Sequence, residues 1–340
     1  MNTDDFSYEL PPEQIAQRPA NPRDSSRLLV LDRTSGAVSH NIFHNLPEFL
    51  NTGDVLVFND TRVLPARLKA RKIPTGGQVE ILLLKQISSD TWEALAGGKR
   101  VKPGMQLEIT PTLQAEILEE HSRSRRIVRF SSDIVPLLED IGEMPLPPYI
   151  HEPLQSNDEY QTMFARQNGS AAAPTAGLHF TQPLLEKIRT RGVKLAAVTL
   201  HVGLDTFAPV TEQDPQEHTI HTEWCSLSED TAALLRATRA NGGRIFAVGT
   251  TTTRVLETAA AHATNPDWIT SFTGPTDLFI LPGFQFKVVD SLITNFHLPR
   301  STLLMLVSAF AGRERILNTY QLARQMDYRF YSFGDAMLIR

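Results

Sequence analysis

Four consecutive threonines between a glycine and an arginine, in the segment RIFAVGTTTTRVLE (244–257), are the residues best suited to hold an anion. The apolar run before Gly249 reads as a strand, and the segment after the threonines reads as a helix. Such a helix start gathers unpaired backbone N–H groups, the hydroxyls of Thr250 and Thr251 and the Arg254 guanidinium around one small volume. A phosphate or carboxylate is stabilised there. Threonines at a helix start also act as plain caps, and both readings stay open.

Five of the ten histidines, His179, His201, His218, His221 and His297, lie in polar, glycine-bearing segments. His218 and His221 could supply two ligands of a tetrahedral zinc site, with His179 or His201 completing it, which would make the chain a metal-dependent hydrolase. Alternatively these histidines are hydrogen-bonded residues at strand ends. A third reading makes one of them a general base, because imidazole titrates near neutrality. The sparse ligand spacing leads us to expect no metal.

Two further clusters follow. In GSAAAPTAGLHF (169–180) small residues let backbones approach closely, and Pro174 and Gly177 set a turn that presents Thr175 and His179. Asn59, Asp60 and Arg62 follow directly on the apolar run VLVFN. An acid and a base at a strand end are either an ion pair or a substrate clamp.

These residues must be positioned by regular elements. Residues 27–33 (RLLVLDR) and 55–59 (VLVFN) read as strands. From 65 to 130 short runs such as ARLKA, QVEILLLK, TWEALA, MQLEI, AEILEE and RIVRF alternate with Gly, Pro and Ser, which suits a small antiparallel barrel. MPLPPY (144–149) reads as a boundary. Beyond it, Thr181 caps a predicted helix over 183–191 and a strand follows at 194–202. Ser228 caps a second helix that ends at Gly242-Gly243, ahead of a strand at 244–248. Residues 252–262 and 301–311 are expected as helices, and 277–281 and 288–295 as strands. Strand–helix alternation implies a layered mixed α/β domain. The expected architecture is therefore a discontinuous α/β domain, residues 1–60 and 149–340, carrying an inserted antiparallel β-barrel domain at 61–148.

The composition is that of a globular protein, with 340 residues, 41% hydrophobic and 21% charged. A single cysteine, Cys225, excludes an intrachain disulfide and fits a reducing cytosol. The acidic N-terminal segment lacks an apolar core, and the longest apolar run, 303–311, is far too short to span a bilayer. A cytoplasmic protein with no membrane partner is expected. Net charge is −5, yet residues 61–131 hold thirteen Lys/Arg against seven Asp/Glu. That local excess points to a polyanion, with Lys99, Arg100, Lys102, Arg123, Arg125 and Arg126 as the residues that would contact it.

Read in order, the same segments resemble one family along nearly the whole chain. DFSYELPPEQIAQRP (5–19), VFNDTRVLPARL (57–68) and GGQVEILLL (76–84) match its first half. AAAPTAGLHFT (172–181), VTLHVGLDTFAPV (198–210), HTIHTEW (218–224), VGTTTTRVLE (248–257), LPGFQFKVVDSLITNFHLPRSTLLMLVSAFAG (281–312) and YRFYSFGDAMLI (328–339) match the rest. The chain resembles the S-adenosylmethionine:tRNA ribosyltransferase-isomerase family. The resemblance implies an α/β domain with a barrel insert and an enzyme that uses S-adenosylmethionine (SAM) as ribosyl donor. The acceptor it implies is the aminomethyl-deazaguanine base of tRNAs with GUN anticodons, and the products are epoxyqueuosine-tRNA, adenine and methionine. His179, His201 and His297 become the proton-transfer candidates. Asn59, Asp60, Arg62, Thr175, Gly177, Thr206, Phe207, Gly249, Thr250, Thr251, Arg254 and Asn295 become the substrate-binding ones. The chain departs from the family's GxGTF run at Asp205, which adds a side chain where backbone would approach a ligand. A non-catalytic tRNA-binding module is the remaining alternative; the glycine-rich loop of conventional methyltransferases is absent.

Overall fold

A computed structural model describes residues 1–121, 124–203, 210–264 and 266–340. The chain divides into two compact units. One comprises Met1–Thr61, Pro147–Gln167 and Ala173–Arg340, and the other Arg62–Leu146 with the short segment Asn168–Ala172.

The larger unit is built on a nine-stranded sheet. Its order is Phe272–Thr276, Glu223–Leu227, Lys194–Leu200, Val55–Asn59, Ile245–Val248, Ser291–Asn295, Ala336–Ile339, Arg27–Leu31 and Val38–Ile42. The four central strands from Lys194–Leu200 to Ser291–Asn295 run parallel, so their carboxyl ends share one edge. Strands buried on both faces carry unbroken apolar runs, as VLVFN and IFAV do. Leu56, Phe58, Phe246, Val248 and Ile293 form one core cluster with Leu184, Leu185 and Ile188 of the helix Gln182–Thr190. The helix Thr250–His262 packs against six strands and is buried from Thr250 to Ala260, which fits its apolar and small residues.

The smaller unit is a closed, six-stranded antiparallel barrel. Arg125–Phe130 closes it by pairing with Thr91–Gly97 on one side and Leu113–Glu120 on the other. Inward positions alternate, for example Trp92, Ala94 and Ala96, with a single large ring beside small side chains because a barrel this narrow has space for little more. Register shifts at Leu83/Lys85 and Ile127/Val128 supply the local bend that closure needs.

The expected architecture, a mixed α/β domain with a small antiparallel barrel, is thus the observed one. Among the boundaries that differ, three have a visible cause, and in two of them a side chain competes for the backbone. The strand expected over 277–281 is absent, and the strand there is Phe272–Thr276. Past it, Leu278 N–H donates to the Thr276 hydroxyl and Leu278 C=O accepts from Arg254 Nε, so the backbone serves a helix side chain instead of a neighbour strand. The strand expected from 288 begins at Ser291, because the Glu257 carboxylate takes the N–H groups of Lys287, Val288 and Val289. The helix expected from 252 begins at Thr250, where Gly249 turns the chain with φ +90°. Thr252 and Thr253 are accommodated because their hydroxyls donate to Val248 and Gly249 C=O, a bond open to threonine in a helix. Among the described residues no helix is long and apolar enough to cross a membrane.

Candidate active site

A cleft of about 610 Å³ opens at the carboxyl edge of the parallel strands. Open α/β sheets place ligands at this edge, because successive strand ends and helix starts leave a crevice there. Its walls come from the turn Thr175–His179, the Gly249–Thr251 helix start, the end of Ser291–Asn295 and the following His297. Tyr149, Tyr331 and Ser332 supply an aromatic and polar side.

The helix start is open chemistry. Gly249 has no side chain to cap it, and the first N–H groups of an α-helix have no partner within it. Among the described residues the Thr250 hydroxyl has no hydrogen-bond partner, while Thr251 Oγ1 receives a long hydrogen bond of 3.4 Å from Asn59 Nδ2. Aligned peptide dipoles make this end of the helix attractive to an anion.

Of the three proton-transfer candidates only His297 lines this cleft. Its Nε2 lies 2.7 Å from Thr294 Oγ1, and its backbone N–H donates to the Tyr320 hydroxyl. Among the described residues Nδ1 has no partner. With Nε2–H donating to Thr294, Nδ1 presents a lone pair. Burial pushes the imidazole down to about 3, so it is neutral at pH 7.

His179 stands behind the wall instead. Its Nδ1 is 2.8 Å from Ser26 Oγ, its Nε2 accepts from Asn295 Nδ2 at 3.2 Å, and its ring stacks on Phe43. Burial first, then Arg329 and Arg23, pushes it down to about 3. Both ring nitrogens are engaged, so His179 orients Asn295. Asn295 in turn donates to Tyr331 C=O and accepts from the Thr175 hydroxyl at 3.4 Å, which places two substrate-binding candidates in the wall. Gly177 lies in the same turn, where a Cβ would come within 3.0 Å of Thr162.

The remaining candidates fall elsewhere. His201 bonds the Thr61 hydroxyl through Nδ1 at 2.8 Å and stacks on Trp224; burial lowers its pKa, with Asp60 opposing. Asn59 spends its amide on Leu200 N–H and C=O and on Thr61 N–H, so it ties strand ends together. Asp60 accepts from the Thr199 hydroxyl at 2.7 Å. Arg62 belongs to the barrel unit and pairs with Glu139 at 3.3 Å, both side chains exposed. Arg254 lines a second cleft of about 440 Å³ and is buried against Glu223, with Leu303 common to both clefts. His218 and His221 also line that second cleft, and His218 pairs with Glu212 at 2.8 Å. Thr206, Phe207, Asp205 and Arg123 lie outside the described residues.

Sequence reasoning missed Tyr149, Thr294, Tyr331 and Ser332 in the cleft. Tyr149 was hidden in a proline-rich stretch that reads as a boundary. Tyr331 carries no signal of type or spacing, because only its backbone conformation sets it apart.

Comparison with known proteins places the chain in a family. A family model described as queuosine biosynthesis protein matches residues 3–339. The S-adenosylmethionine:tRNA ribosyltransferase-isomerase of Moorella thermoacetica is 53% identical over the full length of both chains. That of Acetivibrio thermocellus is 52% identical, again over both full lengths. The crystal structure of S-adenosylmethionine tRNA ribosyltransferase from Thermotoga maritima is 42% identical over 99% of this chain and 100% of that one, with a TM-score of 0.58. The chain is therefore an enzyme of the queuosine biosynthesis protein family and belongs with the S-adenosylmethionine:tRNA ribosyltransferase-isomerases.

Proposed function

We propose that this enzyme transfers and isomerises the ribosyl moiety of SAM onto the 7-aminomethyl-7-deazaguanine base at the wobble position of tRNAs with GUN anticodons. The products are epoxyqueuosine-tRNA, adenine and methionine. Family membership supports the class of reaction. The observation that carries the site is His297, a neutral imidazole with an unpartnered Nδ1 in a cleft that also contains an uncapped helix start.

The sulfonium of SAM withdraws electrons and acidifies the adjacent 5′ hydrogens. His297 Nδ1 accepts one of these protons. Adenine then departs, the acceptor amine attacks the sugar, and epoxide closure expels methionine. The N–H groups at Thr250 and Thr251 hold the methionine carboxylate. Asn295, held by His179, fixes the Thr175 side of the wall. No metal takes part in this reading, and turnover is expected to survive dialysis against EDTA.

The discriminating experiment labels SAM separately in its ribose carbons and its methyl group, with tRNA carrying the aminomethyl-deazaguanine base as acceptor. Ribose label should enter the tRNA, methyl label should leave with free methionine, and adenine should appear in equal amount. Methyl label in the RNA, or none at all, would overturn the reading.

The barrel unit is proposed to carry part of the tRNA footprint, through Lys99, Arg100 and Lys102. All three are exposed, and among the described residues their side chains have no hydrogen-bond or ion-pair partner. Arg125 and Arg126 are committed instead, to Glu93 at 2.9 Å and to Glu120 at 2.9 Å, with Arg126 also buried. A Lys99→Ala/Arg100→Ala/Lys102→Ala variant should bind tRNA more weakly. The slope of log affinity against log salt should flatten by roughly 0.7–0.9 for each phosphate that is no longer neutralised. SAM affinity should not change. Normal tRNA binding by this variant at every salt concentration would move the footprint elsewhere.

A further inference from the structure

Tyr331 occupies a backbone conformation that aromatic residues avoid. Its φ is +73°, in the left-handed region where a Cβ crowds the chain. Neighbours hold it there. Tyr331 N–H donates to Phe296 C=O at 3.2 Å, and its own C=O accepts from Asn295 Nδ2 at 3.0 Å and from Gly334 N–H at 2.9 Å. Gly334 is equally constrained, because a Cβ at that position would lie 2.5 Å from Arg329 C=O. Strain maintained by this many hydrogen bonds marks a residue whose side chain is being aimed.

The ring it aims lines the cleft beside Tyr149, with centroids 4.2 Å apart. Tyr331 is 6% exposed, and among the described residues its hydroxyl has no hydrogen-bond partner. The Tyr149 hydroxyl differs, since it lies 2.7 Å from Ser332 Oγ. Buried polar groups are paired in folded proteins almost without exception, so an orphan needs a cause. Tyr160, Thr162, Thr238 and Ser308 also bury unpartnered hydroxyls, but none of them lines the cleft. Among these fully buried hydroxyls of the described residues, only that of Tyr331 belongs to a cleft residue, so a ligand there can supply the missing partner. Burial, and to a lesser degree Tyr320, holds this phenol well above its usual range, so it enters the site as a donor.

We propose that the Tyr331 hydroxyl donates a hydrogen bond to N3 or N7 of the purine of bound SAM, the acceptor nitrogens nearest the glycosidic bond, with the purine lying along the Tyr149 face of the cleft. This rests on the reading of function above. A flat heteroaromatic suits an aromatic wall, whereas the carboxylate of the same molecule suits the Gly249–Thr251 helix start. The purine offers acceptor nitrogens to a neutral donor. As the glycosidic bond breaks its electron pair goes to the purine, and a hydrogen bond to a more negative nitrogen strengthens, so the interaction favours departure.

The test is a cycle between Tyr331→Phe and two SAM analogues, 3-deaza and 7-deaza, read as equilibrium binding without tRNA. Tyr331→Phe should weaken SAM binding by roughly 3–10-fold. One analogue should bind the wild-type enzyme more weakly by a similar factor and be indifferent to the substitution, because each change removes the same hydrogen bond. Thermal stability of Tyr331→Phe should be equal or higher, since the deleted hydroxyl had no partner in the free protein. The inference is overturned if Tyr331→Phe binds SAM normally, or if both analogues remain as sensitive to it as SAM. A lower melting temperature with unchanged SAM affinity would also overturn it, by showing a structural hydroxyl. Failure of the wild-type enzyme to bind SAM would instead remove the functional reading beneath it.

Discussion

Replacing His297 with alanine should slow turnover by roughly 10²–10⁴-fold while SAM affinity changes little, the usual cost of losing a positioned proton acceptor. The expectation rests on Nδ1 of this cleft residue, which has no partner among the described residues. A His297→Gln variant keeps a polar side chain and guards against a simple packing defect. His179→Ala supplies the contrast. It removes the ring that holds Ser26 and Asn295, so it should lower stability more than activity per folded molecule. The pH profile is a separate readout. Burial holds His297 down to about 3, far below the ordinary imidazole value of 6.5. It is therefore neutral at and above pH 5, and kcat/KM should show no imidazole ionisation between pH 5 and 8. The same depression has a consequence for folding. The unfolded chain binds the extra proton first, so the contribution of the buried neutral ring is full above pH 6.5 and is lost as pH falls towards 3. Turnover of His297→Ala within about threefold of wild type, on the scale of those losses, would remove His297 from the chemistry.

The second large effect concerns stability. Glu223→Ala should destabilise the fold by about 3–5 kcal/mol, because it leaves the Arg254 guanidinium buried without its counter-charge. Both side chains are 4% exposed. Arg254 Nη2 is already without a partner, so the loss of Glu223 would strand Nη1 as well, together with the N–H of Gly203 that donates to Glu223 Oε1. Removing both charges at once, as Glu223→Leu/Arg254→Met, should cost less than either single change, since no unpaired ion remains. Chemical denaturation at pH 7 reads this directly. Single variants within about 1 kcal/mol of wild type, a loss typical of exposed pairs, would show that water reaches the pair. The pairing also explains why Arg254 is a poor anion clamp. Its charge is already matched.

Much of this protein could be read from the order of its residues. Apolar runs such as VLVFN and IFAV, punctuated by glycines, are short-range signals, and they placed the strands and the α/β layering. Period-two burial in TWEALA and its neighbours did the same for the barrel. The nine matching blocks carried the family, because their order and length leave little room for accident. The helix start after Gly249 was legible to within two residues, as caps and glycine turns act within a few residues.

What the sequence could not decide is which chemical groups remain free after folding. Asn59 and His179 have the same residue types as cleft residues and Arg254 is suited to an anion, yet each gives hydrogen bonds to a distant partner: Leu200, Ser26 and Glu223 respectively. Side chains far along the chain also set two element boundaries, as Glu257 does by capturing the N–H groups of residues 287–289. Composition promised a basic surface on the barrel, but pairing withdrew Arg125 and Arg126 from it and left Lys99, Arg100 and Lys102. The aim of Tyr331 depends on bonds to Phe296, Asn295 and Gly334 that no local rule contains. Local sequence determines where elements form, since propensities and caps act over a turn or two. Only tertiary packing determines which polar groups are consumed by the fold and which are kept for a substrate, because that depends on what the remainder of the chain brings within hydrogen-bonding reach.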